Sequence, residues 1–181
     1  EIISRMAEAG DDFRTELESA LAKYERSAKS EIEMAQIRSS ASEGLKHLVV
    51  AGNALVHIMP ENGLRVFGLQ NYVVKRAGDG TVLDMVLHEQ VSRMELPEEA
   101  QRMLAPDDDE DMVEDDADDN VDLYTWVRRT PRGWAVHQEV ENKVIPGTVG
   151  TYPLDKPAWL ALRWSRVDGE DYGRGHVEEY Q

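Results

Sequence analysis

The feature that most constrains the fold is the stretch from Leu45 to Pro60, LKHLVVAGNALVHIMP, the only long apolar segment in a highly polar chain. Its apolar residues recur at three- and four-residue spacing and form one wide stripe, with a second stripe on another side. The stretch is too short and too often interrupted by polar residues to span a bilayer. Pro60 would end a helix, because its ring and missing N–H cannot continue one. The pattern predicts a buried core helix over about residues 45–59, with another backbone packed closely at Gly52.

The first 43 residues are polar and contain no proline, which favours helix. Apolar residues recur there at helical spacing and predict an amphipathic helix packed on the core helix; they are Phe13, Leu17, Leu21 and Tyr24, followed by Ile32 and Ile37. A long helical element without caps is the alternative. Residues 39–44 are either a break between helices or a small-residue contact surface, and the sequence leaves both open.

Beyond Pro60 the apolar period changes from that of a helix to that of strands. Gly78-Asp79-Gly80 is a hairpin signal, and Pro97 followed by two glutamates predicts a short helix to about Leu104. The predicted strands lie near residues 64–67, 72–74, 83–91, 121–127 and 134–140, with an irregular β region near 144–153 and a last, buried strand at 159–164. Helices followed by antiparallel hairpins indicate an α+β fold.

Acidic charge is concentrated in one segment. The chain has a formal net charge of −16, and eleven carboxylates fall between Asp107 and Asp122. Asp107, Asp109 and Asp111 have the spacing of calcium-loop ligands, but Met112 stands where such a loop needs glycine for its sharp turn. We therefore interpret residues 107–122 as an acidic loop without a metal. It is either a solvated spacer, which its block of like charge favours, or a docking element whose charge is compensated by a cation or by a basic surface of a neighbouring protein.

The sequence contains no convincing catalytic constellation. There is no cysteine, and the five histidines show no zinc-site spacing. Nucleophile-elbow and phosphate-loop motifs are absent, and so is a basic stripe with interleaved aromatics. No signal peptide or spanning segment is seen, and both ends look like cut points in a longer protein. We expect no enzyme activity, no catalytic or metal-binding residue and no cofactor.

The segment Asp168–Tyr180, DGEDYGRGHVEEY, is unusual in its three glycines, Gly169, Gly173 and Gly175. A phosphate-cradling loop is one interpretation, but the glycine spacing is wrong, no phosphate-loop lysine is present, and four nearby carboxylates would repel phosphate. The alternative is a backbone pivot from strand to helix, in which the glycines provide positive φ or close approach. The physical arguments favour the pivot.

The same segment, extended to SRVDGEDYGRGHVEEY, closely resembles the signature of the head-to-tail connector (portal) proteins of short-tailed bacteriophages. In that family a GEDYGR turn follows the wing strands and opens a helix toward the channel. LKHLVVAGNALVHI resembles the family's helix containing Gly-Asn, Tyr72-Val73-Val74 its Y-V-V strand, and residues 147–154 its G-T-x-G-x-Y-P-L run. The resemblance covers nearly the whole chain, although the family's chains are about three times longer.

The resemblance implies a structural subunit of a portal ring, homo-oligomeric and typically twelve-fold, at the capsid vertex of the virion. Such a ring forms the channel for packaging and ejecting double-stranded DNA, which passes without sequence-specific binding. The implied partners are the major capsid protein, the terminase and tail adaptor proteins, with assembly in the host cytoplasm and no membrane. Residues 1–60 would be the helical part of the wing, 61–168 its β-rich part with the acidic loop, and 169–181 the glycine turn and the start of a helix toward the stem.

The charge also supports a different class of protein. An acidic interaction module, or a nucleic-acid mimic, would occupy basic surfaces of another protein. It would act as a monomer or dimer, whereas a portal subunit forms large rings.

Overall fold

The computed structural model describes residues 11–34, 37–59, 63–104 and 120–179. It is an α+β structure with antiparallel sheets, which confirms the predicted fold class. Its α-helices are α1 (Asp11–Met34), α2 (Ile37–Ala51), α3 (Glu98–Met103) and α4 (His176–Glu179). Its strands are β1 (Asn53–Met59), β2 (Gly63–Phe67), β3 (Tyr72–Arg76), β4 (Val82–Ser92), β5 (Asn120–Thr130), β6 (Gly133–Val140), β7 (Lys143–Val144), β8 (Gly150–Tyr152) and β9 (Trp159–Arg163).

The described strands form two sheets. The smaller one has the order β2-β1-β9, so the last strand pairs with the first. The larger one has the order β3-β4-β5-β6-β7, and β8 also pairs with β6. Strand β3 therefore lies at one edge of the larger sheet.

Two apolar clusters form the core. The larger includes Leu55 of β1, Leu87 of β4 and Trp159 of β9, so it joins the two sheets. The smaller packs α3 against strands β5 and β6 and includes Ala100, Val140 and Ile145, all 0% exposed.

The predicted core helix over residues 45–59 is wrong in its second half. Helix α2 ends at Ala51, and residues 53–59 form β1, the central strand of the smaller sheet. Gly52 adopts a φ of 72°, the left-handed conformation that commonly terminates helices. Leu45 and Val50, two members of the predicted buried stripes, are 58% and 66% exposed. The buried apolar residues of this stretch are those of the strand.

The N-terminal helix forms as predicted, but its apolar residues are not buried within the described chain. Phe13, Leu21 and Tyr24 of α1 are 53%, 55% and 76% exposed. Residues 39–44 lie inside α2, so no helix break occurs there. Gly44 is buried, and a Cβ added to it would lie 3.7 Å from the methyl groups of Val66. This contact favours the second interpretation of residues 39–44, a small-residue contact surface.

The predicted hairpins are confirmed. Residues 77–81 connect β3 to β4, with Gly80 at a φ of 85°, and residues 131–132 connect β5 to β6. The short helix is α3, preceded by Pro97 as its N-cap. The last strand, β9, ends at Arg163 and is less buried than predicted, since Leu162 is 38% exposed and Trp164, just beyond the strand, is 45% exposed. Residues 107–119 of the acidic loop lie outside the described residues, whereas 120–122 begin β5.

We expect Leu87→Ala to lower the free energy of unfolding by about 2–5 kcal/mol, because the Leu87 side chain is 1% exposed in the joint core. Leu45→Ala removes the same atoms from an exposed helix position and should cost less than about 0.5 kcal/mol. Urea unfolding measures both values. Equal costs would instead support the buried helix predicted from sequence.

Candidate functional site

The residues that bear possible chemistry are dispersed. The described residues include no group of three or more His, Cys, Asp or Glu that could hold a metal ion. The ring of His57 stacks on Trp159 at 3.7 Å, and burial, with a smaller contribution from Arg65, lowers the pKa of His57 to about 4. His88 and His137 bond different carboxylates, those of Asp122 and Glu139. No helix in the described ranges is long and apolar enough to cross a membrane.

The most closely built site is where the glycine-rich segment meets the end of α2. We call it the glycine junction and define it as residues 52–53 together with 165–176. Gly52 donates its N–H to Leu48 O at 3.0 Å and accepts at its carbonyl from Trp164 N at 2.9 Å. A Cβ added at Gly52 would overlap the carbonyl carbon of Arg174. Gly52 therefore serves both the helix end and a close backbone contact.

Asn53 connects the two halves of the glycine junction. Asn53 is only 2% exposed. Its Oδ1 accepts the N–H of Gly173 at 2.8 Å. Its Nδ2 donates to Gly173 O at 2.7 Å and to Ala51 O at 2.9 Å. One amide thus satisfies both backbone groups of a residue 120 positions away.

The three glycines of the motif act in two different ways. Gly169 has a φ of 79°, a conformation that favours glycine. Gly173 and Gly175 do not adopt a positive φ. An added Cβ would instead overlap Ser165 O at Gly173 and Val50 O at Gly175. The predicted pivot therefore depends on positive φ only at Gly169 and on close approach at the other two. Gly175 O accepts the N–H groups of Glu178 and Glu179, both at 3.1 Å, and so opens α4.

The motif also covers the open edge of the larger sheet. Tyr172 Oη accepts the N–H of Val74 at 3.2 Å, and Asp171 Oδ1 accepts the N–H of Arg76 at 2.6 Å. These donors alternate along β3 on the side away from β4. Side chains of the motif thus replace a neighbouring strand and block edge-to-edge pairing there.

Arg76 links this edge to the smaller sheet. Its guanidinium donates to three backbone carbonyls, those of Asp171 at 2.9 Å, Gly80 at 3.1 Å and Ala161 at 2.8 Å. Burial, and then the positive charge of Arg163, lower the pKa of Arg76 from its usual value. The glycine junction, β3 and β9 are consequently held in one bonded unit.

The family model described as bacteriophage head to tail connecting protein matches residues 4–181. The chain belongs to this family. It is 34% identical over 176 residues to the portal protein of Escherichia phage T7, and 34% identical over 175 residues to that of Enterobacteria phage T3. It is 30% identical over 168 residues to that of Enterobacteria phage SP6.

These alignments cover 92–93% of this chain but only 32% of each relative, so the chain spans about a third of the length of the portal proteins that it matches. The suggested resemblance to the connector family is confirmed. In this member of the family, the Asp171-Tyr172-Gly173 part of the motif is fixed by contacts to the backbone and side chains of β3 and Asn53.

The role of Asn53 was missed from the sequence. It is one of the polar residues that interrupt the apolar stretch, and the predicted helix gives it no role, whereas its side chain makes three hydrogen bonds in the glycine junction. The available signal was the Gly52-Asn53 pair itself, since glycine followed by a polar residue is a typical helix stop.

Gly175→Ala should destabilise the protein by about 1–3 kcal/mol, because the methyl group would overlap the carbonyl oxygen of Val50. Gly78 is the matched control, since its added Cβ meets nothing within 4 Å and its φ is not positive. Gly78→Ala should therefore stay within about 1 kcal/mol of the parent protein. Chemical denaturation of both variants measures the difference, and equal effects would contradict the close-approach role.

Asn53→Asp should be destabilising at pH 7 by at least about 2 kcal/mol, because a carboxylate would face two carbonyl oxygens without a donor. Burial near these oxygens raises the folded-state pKa of the new Asp above its unfolded value. The neutral form is then favoured by folding, so the penalty shrinks as the pH falls through the raised pKa. Unfolding free energies at pH 7 and at lower pH, compared with the exposed Asn142→Asp, measure this. A penalty independent of pH would contradict the assigned bonds.

Proposed function

We propose that this chain is the wing-forming part of one subunit of a phage portal ring, the connector between capsid and tail. The observation that carries the proposal is the family match over residues 4–181, together with identity to portal proteins over nearly the whole chain. The ring surrounds a channel through which double-stranded DNA is packaged and ejected. Its site of action is the portal vertex of the virion, after assembly in the host cytoplasm.

Within this proposal, residues 1–60 are the helix-rich start of the wing and residues 61–168 its β-rich part. Residues 169–181 turn the chain into a helix that leads toward the stem. The first of these parts ends in β1, so it contributes a strand as well as helices. Other copies of the subunit, typically completing a twelve-fold ring, are the primary partners. The major capsid protein, the terminase and the tail adaptor proteins are the others.

The glycine junction suits a subunit that transmits force between its parts. Asn53 holds the backbone of Gly173, two residues before the carbonyl that opens α4. Tilting α4 independently of β1 would break these buried hydrogen bonds, and a buried amide left without partners costs about 1–3 kcal/mol for each group. The wing and the emerging helix should therefore move as one body during DNA passage.

A conduit needs weak contact with its cargo. The net charge of −16 disfavours ion pairing with phosphates, so DNA can slide without sequence-specific binding. The chemical work of packaging belongs to the ATP-driven terminase in this scheme, and the subunit itself is not an enzyme. Steady nuclease or nucleotidase turnover by the purified chain, abolished by a single carboxylate or histidine change, would refute that part.

The charge also supports the alternative of an acidic module that mimics nucleic acid and binds basic proteins. Electron microscopy of the full-length protein containing this segment separates the two functions. A portal subunit should give large closed rings. A mimic should remain monomeric or dimeric and should bind basic proteins in a manner weakened by salt. The second result, without rings, would overturn the portal proposal.

A further inference from the structure

The larger sheet has two ends of opposite character. Residues Asp84 and Arg128 pair at one end of β4 and β5, and Ser92 and Asn120 pair at the other. The turns at 77–81 and 131–132 thus lie together at the first end, which we call the turn end. The acidic segment, residues 107–122, enters β5 at the opposite end. Basic residues are concentrated near the turn end, and acidic residues are concentrated in the segment that enters β5 at the other end.

The turn end is basic in an otherwise acidic chain. The stretches that meet there are residues 75–84, 128–134 and 161–171, joined by the bonds of Arg76 to Ala161 and Asp171. They contain seven basic and five acidic residues, whereas the acidic segment contains eleven carboxylates and no basic residue. The turn end therefore attracts anions in a protein that repels them as a whole.

Three guanidinium groups lie beside the Gly80 turn, those of Arg76, Arg163 and Arg166. With Arg129, near the end of β5, we call them the arginine cluster. A Cβ added at Gly80 would lie 2.9 Å from Nη2 of Arg163 and 3.3 Å from Cζ of Arg166. These two guanidiniums thus flank the same small turn.

The other two members lie at the same end of the sheet, since Nη1 of Arg76 donates to Gly80 O at 3.1 Å and Arg129 is the last residue but one of β5. Asp79 has a lowered pKa, first because it accepts the N–H of Thr81 and further because of the positive charges of Arg166 and Arg129. The charge of Arg163 likewise adds to burial in lowering the pKa of Arg76. All four charges therefore act within one region.

The cluster's hydrogen bonds leave much of its charge uncompensated. The guanidinium of Arg76 bonds three carbonyl oxygens, and Nη1 of Arg163 donates to Glu170 O at 3.0 Å. A carbonyl satisfies an N–H group but does not cancel a formal charge. Arg129 lies over the ring of Trp134 at 5.9 Å, and Arg166 pairs at 3.3 Å with Asp168.

The carboxylates at this end are engaged or solvated. Asp79 and Asp171 accept backbone N–H groups, and the side chain of Asp168 is 90% exposed. An exposed ion pair of this kind contributes little and exchanges readily for a stronger partner. An external polyanion can therefore compete for the arginine cluster.

The described start of the acidic segment lies far from the arginine cluster of its own chain. Ten residue steps of β5 separate Asn120 from Thr130, which is about 34 Å in an antiparallel strand.

We propose that the arginine cluster binds the acidic segment, residues 107–122, of a second copy of this chain. The inference rests on the proposed ring, in which each copy must present two different, complementary surfaces to its two neighbours. One sheet with an acidic end and a basic end supplies both. The net charge of −16 opposes every free polyanion, duplex DNA included, whereas a neighbouring copy in the ring presents its acidic segment at high local concentration.

A labelled synthetic peptide of residues 107–122, titrated against the intact chain and followed by fluorescence anisotropy, tests the contact without requiring rings. We expect binding at low salt that weakens as salt screens the charges. Arg129→Gln combined with Arg166→Gln should weaken it about tenfold or more, since charge-assisted hydrogen bonds are the strong ones. Both side chains are exposed, so folding should survive; the circular dichroism spectrum checks this.

The matched control is Arg102→Gln combined with Lys143→Gln, which removes the same charge from exposed positions outside the cluster. This variant should bind the peptide within about twofold of the parent chain, as expected for a change in general charge alone. Equal weakening by both double variants, or no peptide binding by the parent, would overturn the proposal. So would tight binding of a duplex oligonucleotide that depends on Arg166 while the peptide does not bind.

This chain contains no cysteine, so a cross-link provides a second test in the assembled full-length protein, with any cysteine outside this segment replaced by serine. Asp168→Cys in one copy and Asp115→Cys in another should form a disulfide-linked dimer under mild oxidation. Lys143→Cys with Asp115→Cys should not. Peptide binding without ring formation would refute the portal proposal alone, whereas rings without the Asp168–Asp115 cross-link would refute this contact alone.

Discussion

The buried side-chain amide of Asn53 is the interaction on which the rest of this structure depends. It satisfies both backbone groups of Gly173 and also bonds the last carbonyl of α2. A buried amide needs such partners, because burying a polar group without hydrogen bonds destabilises the folded state. The amide therefore fixes where α2 stops, where β1 starts and where the C-terminal segment crosses them. Since β1 is the central strand of the smaller sheet, its placement also determines how β2 and β9 pair.

The glycine junction extends this constraint to the larger sheet. The C-terminal segment packs against Gly52 and Asn53. The two residues before this contact, Asp171 and Tyr172, have side chains that bond the edge of β3. The two sheets share an apolar core around Leu55 and Leu87. Apolar contacts are non-directional and would tolerate some sliding. The directional hydrogen bonds of Asn53, Asp171 and Tyr172 select one arrangement among those that bury the same area.

Much of the fold follows from local sequence signals. The Gly78-Asp79-Gly80 turn, the paired strands around it and the Pro97 helix start were all predicted, because turn and cap chemistry acts over a few residues. The switch from α2 to β1 was missed because the apolar run after Leu45 matches a helix period, although its second half, with Val56 and Ile58, also suits a strand. Only a partner 120 residues away decides between the two, and periodicity carries no information about that partner. The candidate site was predicted as a glycine pivot, but its dependence on Asn53 required the same long-range knowledge.

The two kinds of interaction in this chain serve different purposes. Hydrogen bonds at the glycine junction are short, buried and made within one chain, so they define the subunit before any neighbour arrives. The charges of the turn end are carried by exposed or long side chains, and such charges act over about 10 Å at moderate salt. They contribute little to folding but can orient two copies as they approach. A ring built from identical subunits requires both properties, since each subunit must be rigid before it can repeat one geometry around a closed circle. The proposed contact between copies uses this arrangement, because the pairing of β4 with β5 places the arginine cluster and the start of the acidic segment at opposite ends of one sheet.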